Sequence, residues 1–181
     1  MITIPFTPFH FGPGGFLGVV LLKWVDFPTL IIASVIIDIE PIMVIVFNLS
    51  YPLHGLLHSF FGAFLAAFVL ILVMKFLREY FSPIMEVFKL KQEIKLRSIS
   101  IGALLGTFSH VLLDAPIYAE MNPFFPFIGN PFLIGSSFTS LNISIFCTYC
   151  FLGTLLTYFL MLTIEVLKNK KENKLKYRKK I

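Results

Sequence analysis

Residues 51–77 read YPLHGLLHSFFGAFLAAFVLILVMKFL and place two histidines at the head of a long apolar run. A helix from Leu53 to Leu77 would be about 37 Å long, enough to cross the hydrocarbon core of a bilayer with some tilt. On that helix, the spacing of four residues predicts that His54 and His58 share one face, with Cβ atoms about 5–6 Å apart. Ionisable side chains are costly in a membrane segment and generally mark a functional site.

The composition is that of an integral membrane protein. Of the 181 residues, 57% are hydrophobic, and the mean hydropathy is +0.86, which excludes an ordinary soluble domain. Because backbone groups in lipid must be satisfied within the protein, such spans are helical. We predict an all-α integral membrane protein, a bundle of about four to five transmembrane or re-entrant helices. A helical membrane domain would occupy residues 1–167 and a basic cytoplasmic tail residues 168–181.

Three further apolar stretches are expected to span the membrane: Thr29–Leu49, Ser98–Pro116 and Leu141–Leu167. Phe16–Val25 is too short to cross alone, so it is either a half-helix or the lower part of a broken span. Asp26 is expected to cap the helix that follows it. Gly102 and Gly106 predict a close approach between two helices.

Prolines and glycines divide these segments. Residues 1–13 are expected to be extended and then to turn at Gly-Pro-Gly-Gly, residues 12–15. Pro41 lacks a backbone N–H, so it should kink or break its helix just after Asp38 and Glu40. Residues 117–140, rich in Pro, Phe, Gly and Asn, are predicted to form an irregular loop.

Lysine and arginine cluster in the connector Arg78–Arg97 and in the tail from Lys168. The positive-inside rule places both in the cytoplasm of a multi-pass cell-membrane protein, and the two spans between them make these assignments consistent. The connector is expected to lie along the lipid surface. Basic blocks beside membrane spans report topology, so the net charge of +5 predicts the lipid bilayer as partner and no nucleic acid.

This orientation brings ionisable residues from four separate stretches to the outer half of one bundle. Imidazoles and carboxylates together are the ligand set of Zn²⁺ and similar divalent ions, and a cation offsets the cost of burying a carboxylate. The candidates exceed one tetrahedral site, so we predict about one to three ions, with zinc favoured. The predicted metal ligands are His10, Asp38, His54, His58, His110 and Asp114.

A site of this kind predicts a hydrolase. A metal-activated water would attack a phosphoester or lipid-type ester bond, with Glu40 as the catalytic base. The substrate would be amphipathic, because the site would open at the outer lipid–water boundary. The loop at residues 117–140 would cover the site as a lid.

Other functions use the same residues. A transporter would pass metal ions or protons through them, although the inner halves of the spans offer almost no polar route. A non-enzymatic scaffold would hold a structural metal in a closed site. Bis-histidine haem binding would leave Asp38 and Asp114 unexplained. Each histidine alone could instead be a hydrogen-bonded core residue.

Two further features have plain structural interpretations. Cys147 and Cys150 form a Cys-x-x-Cys inside an apolar run, which favours two buried thiols over a redox pair. Glu120 is interpreted as an interface or helix-end group.

The ordered motifs resemble those of the LexA-regulated, membrane-bound metal-dependent hydrolases. The matching motifs are Thr7-x-x-His10, Asp38-x-Glu40, His54-x-x-x-His58-Ser59 and Ser109-His110-x-x-x-Asp114. That family consists of small multi-pass inner-membrane proteins and is distantly similar to zinc-dependent phospholipases C. The resemblance implies a metal site at the residues predicted above, and a hydrolase reaction. Here Glu40 replaces an aspartate, and residues 54–58 lack the arginine and threonine of the family motif.

Overall fold

A computed structural model describes residues 7–178, which are helical throughout their regular structure and contain no strand. Three short 3-10 turns, Thr7–His10, Ile36–Asp38 and Arg78–Phe81, join the helices. Four segments are long and apolar enough to cross a membrane: Phe27–Val46, Phe60–Val87, Leu96–Asp114 and Phe138–Glu172. The predicted all-α membrane fold is confirmed. The α-helices are α1 (Phe11–Val20), α2 (Phe27–Ala33), α3 (Ile39–Val46), α4 (Phe60–Leu77), α5 (Ser82–Val87), α6 (Leu96–Asp114) and α7 (Ser137–Arg178).

Helix α6 is the centre of the bundle, with α2 and α4 packed against it, while α1 lies between α2 and α7. The predicted close approach through small residues is confirmed. A Cβ atom on Gly106 would lie 2.4 Å from the Ala33 Cβ atom, and one on Gly102 would lie 3.0 Å from the Asp26 carbonyl oxygen. Larger side chains at these positions of α6 would push α2 away.

The predicted turn at residues 12–15 is wrong, because these residues lie inside α1. Pro13 is in the first turn, where the missing N–H costs no helical hydrogen bond. The glycines serve close packing instead: a Cβ atom on Gly12 would lie 2.3 Å from the Cys147 carbonyl oxygen of α7. The part of the predicted extended segment at residues 1–6 lies outside the described residues.

The predicted helix over His54 and His58 is also wrong, because α4 begins only at Phe60. Residues 51–59 form an irregular segment, the histidine loop, which ends where the Ser59 side chain caps α4 by accepting from the Gly62 N–H at 3.0 Å. Glu40, which is not part of the loop, holds it in place, because the Glu40 carboxylate accepts hydrogen bonds from backbone N–H groups of the loop. The apolar composition of the segment after Tyr51 predicts a helix and gives no sign that the Glu40 carboxylate holds its first residues in a loop.

The span containing Asp38 is interrupted as predicted, but the break comes earlier. Helix α2 ends at Ala33, a 3-10 turn follows at Ile36–Asp38, and Pro41 lies in the first turn of α3. The break leaves the Ser34 carbonyl oxygen to accept a hydrogen bond from His110 Nδ1 at 2.8 Å.

The opposite end of the bundle is closed by a buried ion pair. The predicted cap is confirmed: Asp26 accepts hydrogen bonds from the Thr29 N–H at 3.1 Å and the Thr29 hydroxyl at 2.6 Å. Arg78 Nε donates to the same carboxylate. Both charged side chains are 1% exposed, so Arg78 does not lie at the lipid surface, where the sequence predicts the connector Arg78–Arg97.

The loop before α7 is irregular over residues 115–136, close to the predicted range. Helix α7 then runs for 42 residues, so the basic segment from Lys168 continues the helix as far as Arg178. Residues 179–181 lie outside the described part of the tail.

Candidate metal centre

Four buried side chains from three elements converge beside α6. Asp38 ends the 3-10 turn before α3, His58 lies in the histidine loop, and His110 and Asp114 are one turn apart on α6. One ligand atom from each lies within 4.8 Å of the others. Two segments outside the α-helices therefore supply half of this cluster, and the continuous helix α6 supplies the other half.

Some distances in the cluster match those of a zinc coordination shell, and others are wider. His110 Nε2 is 3.3 Å from Asp114 Oδ2 and 3.5 Å from Asp38 Oδ1. His58 Nε2 is 3.8 Å from Asp114 Oδ2 and 4.0 Å from Asp38 Oδ1. Tetrahedral ligands at about 2.1 Å from zinc are separated by about 3.4 Å. The two nearer pairs already match this spacing, and the His58 pairs are wider.

Hydrogen bonds on the far side of each ring fix how the two histidines face the cluster. His58 Nδ1 donates to Glu40 Oε2 at 2.8 Å, and His110 Nδ1 donates to the Ser34 carbonyl oxygen at 2.8 Å. Both Nε2 atoms then point towards the carboxylates of the cluster. This arrangement, with a carboxylate or carbonyl behind the ring, is characteristic of metal-ligating histidine.

Several buried side-chain atoms in and beside the cluster, including both Nε2 atoms, lack hydrogen-bond partners. Buried polar atoms are nearly always hydrogen-bonded, and an unpartnered one costs free energy. A divalent cation would satisfy carboxylate oxygens and imidazole nitrogens together, so the donor set fits such an ion. Among the residues that the structure describes, the unpartnered buried side-chain atoms are Asp38 Oδ2, His58 Nε2, His110 Nε2, Asp114 Oδ1 and His10 Nδ1.

His10 lies at the edge of this cluster, outside the group of four. Its ring stacks on the ring of His110 with centroids 3.9 Å apart. Its Nε2 atom is 3.3 Å from Asp114 Oδ1, the oxygen that faces away from the His110 contact.

His54 also lies beside the group of four. Its ring is 4.7 Å from the ring of His58, edge to face, and stacks on Tyr118 at 3.6 Å. Its Nδ1 atom is 2.7 Å from Glu120 Oε1. The structure therefore brings all six predicted ligands into one contiguous cluster, of which four have their ligand atoms close together.

Glu40 lies behind the cluster, with both oxygens engaged. Oε1 accepts from the Leu57 N–H at 3.0 Å. Oε2 accepts from the Gly55 N–H at 3.0 Å and from His58 Nδ1 at 2.8 Å. The carboxylate thus fixes both the backbone of the histidine loop and the orientation of its second histidine.

Three residues contact the histidines of the cluster in ways that the sequence does not predict. Ser34 acts through its main-chain carbonyl, which no side-chain pattern can reveal. Tyr118 and Glu120 lie in the irregular loop, where the only signal was an acid close to an aromatic residue in an otherwise apolar stretch. Glu120 was interpreted as an interface group, but it holds His54.

Burial sets the protonation of two groups around the cluster. Burial lowers the pKa of His58, although the hydrogen bond that its Nδ1 donates to Glu40 acts in the opposite direction, and the lower pKa favours the neutral ring that metal binding needs. Burial, with the nearby charge of Asp114, raises the pKa of Tyr118 above its usual range, so its hydroxyl stays protonated.

Comparison with known proteins shows the family. No curated protein and no solved structure matches the chain. The family model described as YdjM inner membrane protein matches residues 7–172, which include every candidate ligand and all four apolar segments. The chain therefore belongs to the YdjM inner membrane protein family, in agreement with its fold as a multi-pass membrane protein.

Proposed function

We propose that this protein is a membrane-embedded, metal-dependent hydrolase of phosphoester or lipid-type ester bonds. The observation that carries the proposal is the pair of buried histidines, each fixed at Nδ1, whose free Nε2 atoms face two buried carboxylates. The resemblance to the LexA-regulated, membrane-bound metal-dependent hydrolases supports the same reaction class. The proposed ligands of the first ion are Asp38, His58, His110 and Asp114.

Zinc suits this site because its ligands are imidazole nitrogens and carboxylate oxygens. When bound, a divalent ion would lower the pKa of a water ligand and polarise the ester. His10 and His54 would hold further ions, and Asp114 would help to hold one with His10, because its Oδ1 atom faces His10 while Oδ2 faces His110.

We assign Glu40 an orienting role instead of that of the catalytic base. A base needs an oxygen that can take a proton from the attacking water. Both Glu40 oxygens already accept hydrogen bonds from the histidine loop. The carboxylate instead holds His58 with Nε2 towards the proposed ion.

Topology completes the proposal. The positive-inside rule places the connector between α4 and α6 and the basic end of α7 in the cytoplasm. The histidine loop and the loop over residues 115–136 then lie at the outer end of the bundle, where the second loop would cover the site. An amphipathic substrate would reach the site from the outer leaflet.

A structural-metal scaffold is the second candidate function. Four protein ligands and nearly complete burial are typical of closed structural zinc sites. A transporter is less well supported, since apolar side chains fill the bundle between the cluster and the Arg78 ion pair. This part of the core consists of Ala33, Ala67, Leu70, Met74, Ile99 and Ala103.

The first experiment measures metal content by mass spectrometry on the full chain purified in mild detergent. We expect about one to three equivalents of zinc, manganese or iron in the wild type. His58→Ala and Asp114→Ala should lose them, whereas Glu165→Ala, which removes an exposed carboxylate of α7, should not. A metal-free wild type, with both site variants equally well folded, would overturn the metal site.

A second measurement separates the hydrolase from the scaffold. The metal-loaded wild type is assayed with phosphodiester and lipid phosphoester substrates, beside His58→Ala. Hydrolysis that follows metal content supports the enzyme. A tightly held metal without hydrolysis of any of these substrates supports the structural role.

A further inference from the structure

An apolar groove runs along the membrane-spanning face of α4, beside the proposed metal centre. It lies between α4 and the broken helix formed by α2 and α3, and has a volume of about 520 Å³. This size falls within the range of about 300–1,000 Å³ of small-molecule sites. Every side chain that lines it is apolar, including Ile36, Ile39, Leu57, Val69 and Leu77.

This groove lies beside the break in the span Phe27–Val46. Helix α2 packs closely on α6 through Gly106 and makes only a smaller contact with α4. The chain then passes through the 3-10 turn at Ile36–Asp38 and continues as α3. The gap is lined on the α4 side by Ala66, whose small side chain leaves the groove deep.

The groove is longer than one leaflet of a bilayer. From Leu65 to Leu77 the α4 wall rises about 18 Å, and half of the hydrocarbon core is about 15 Å thick. Both walls belong to segments apolar enough to cross a membrane, so the groove opens sideways into hydrocarbon. An acyl chain fits this groove, because the groove is long and apolar and lies next to the hydrocarbon of the bilayer.

One end of the groove is built from neighbours of the site residues. Ile39 stands between Asp38 and Glu40 in the chain. Leu57 directly precedes His58, and its N–H donates to Glu40 Oε1 at 3.0 Å. The other end, at Leu77 and Phe81, lies beside the buried ion pair of Arg78. A chain seated here would have its polar end at the level of the metal centre.

We infer that the groove between α2–α3 and α4 seats an acyl chain of the substrate, which makes the substrate a membrane lipid and not a water-soluble phosphoester. This inference rests on the proposed hydrolase function. The groove supplies binding energy through chain burial, and the cluster receives the ester at the headgroup end. Selectivity for long chains follows, because each methylene that enters the groove leaves its previous surroundings for a fitted apolar wall.

Native mass spectrometry of the full chain in mild detergent tests whether a lipid binds in the groove. The probes are a long-chain phosphatidylethanolamine and its short-chain homologue. Ala66→Phe and Val69→Trp fill the groove, while Leu72→Trp adds the same bulk to an exposed position of α4 outside it. We expect one retained long-chain lipid in the wild type and in the Leu72 variant, and about tenfold weaker retention in the two groove variants.

Metal content and hydrolysis are measured on the same samples. Bound metal at wild-type levels in all variants, with long-chain hydrolysis reduced only in the groove variants, supports the inference. Equal lipid retention in all variants would overturn it, even if the metal-dependent reaction is intact. If the protein retains the lipid but binds no metal and hydrolyses no substrate, the proposed hydrolase function is wrong. The inference is then wrong as well, because the lipid in the groove would not be a substrate.

Discussion

At the scale of single residues, Glu40 organises the site without facing it. Its carboxylate accepts hydrogen bonds from Gly55, Leu57 and His58. These hydrogen bonds hold the residues in a loop, where the spacing of the histidines predicted a helix. The sequence showed an acid beside Asp38, but the acceptor role depends on a loop that lies 15 or more residues later in the chain.

Replacing Glu40 tests this orienting role. We expect Glu40→Ala to weaken metal affinity by about 10–100-fold, the usual cost of losing a group that orients a ligand. Glu40→Gln should lose less, because its amide oxygen can still accept from the loop. Competition with a chelator measures the affinity, with Glu165→Gln as the matched control. Wild-type affinity in Glu40→Ala would contradict the assignment.

The buried pair of Arg78 and Asp26 is the second residue-scale feature. Breaking a buried ion pair leaves an uncompensated charge and typically costs about 3–5 kcal/mol. We expect Arg78→Met to lower the thermal unfolding temperature in detergent strongly, and Asp26→Asn combined with Arg78→Met to recover part of the loss. Lys91→Met, in the exposed pair with Glu86, should change little. Equal effects of the two single changes would contradict a stabilising role for the buried pair.

At the scale of elements, α6 holds the site together through its contact with α2. The Ser34 carbonyl that fixes His110 lies just after α2, so the spacing of the two helices sets the direction of that ring. Small residues in the sequence predicted the contact between the two helices. They did not predict that the contact would bring a main-chain oxygen within hydrogen-bond distance of His110.

A side chain on Gly106 should disturb both packing and metal binding. A Cβ atom there would lie 2.4 Å from the Ala33 Cβ atom, and overpacking of this kind costs about 1–3 kcal/mol. We expect Gly106→Val to lower thermal stability and to reduce bound metal. Leu112→Val, at an exposed position of the same helix, is the control. Full metal retention in Gly106→Val would show that the helix spacing does not set the His110 ring.

At the scale of the whole molecule, orientation in the membrane decides which side the site serves. Labelling of single cysteines, in a chain with Cys147 and Cys150 replaced by serine, measures it. We expect Pro52→Cys to react with an impermeant reagent added outside, and Glu172→Cys to react only after the membrane is permeabilised. The reverse pattern would place the metal centre at the cytoplasmic end.

The sequence by itself determined the helical membrane class and the residue types that gather at the site, because lipid enforces helices and penalises every buried charge that has no function. The tertiary structure decided where those helices break. It placed His58 in a loop held by Glu40, His110 against the Ser34 carbonyl, and His54 against Glu120. These partners are distant in the chain, and local periodicity carries no information about hydrogen bonds between such residues.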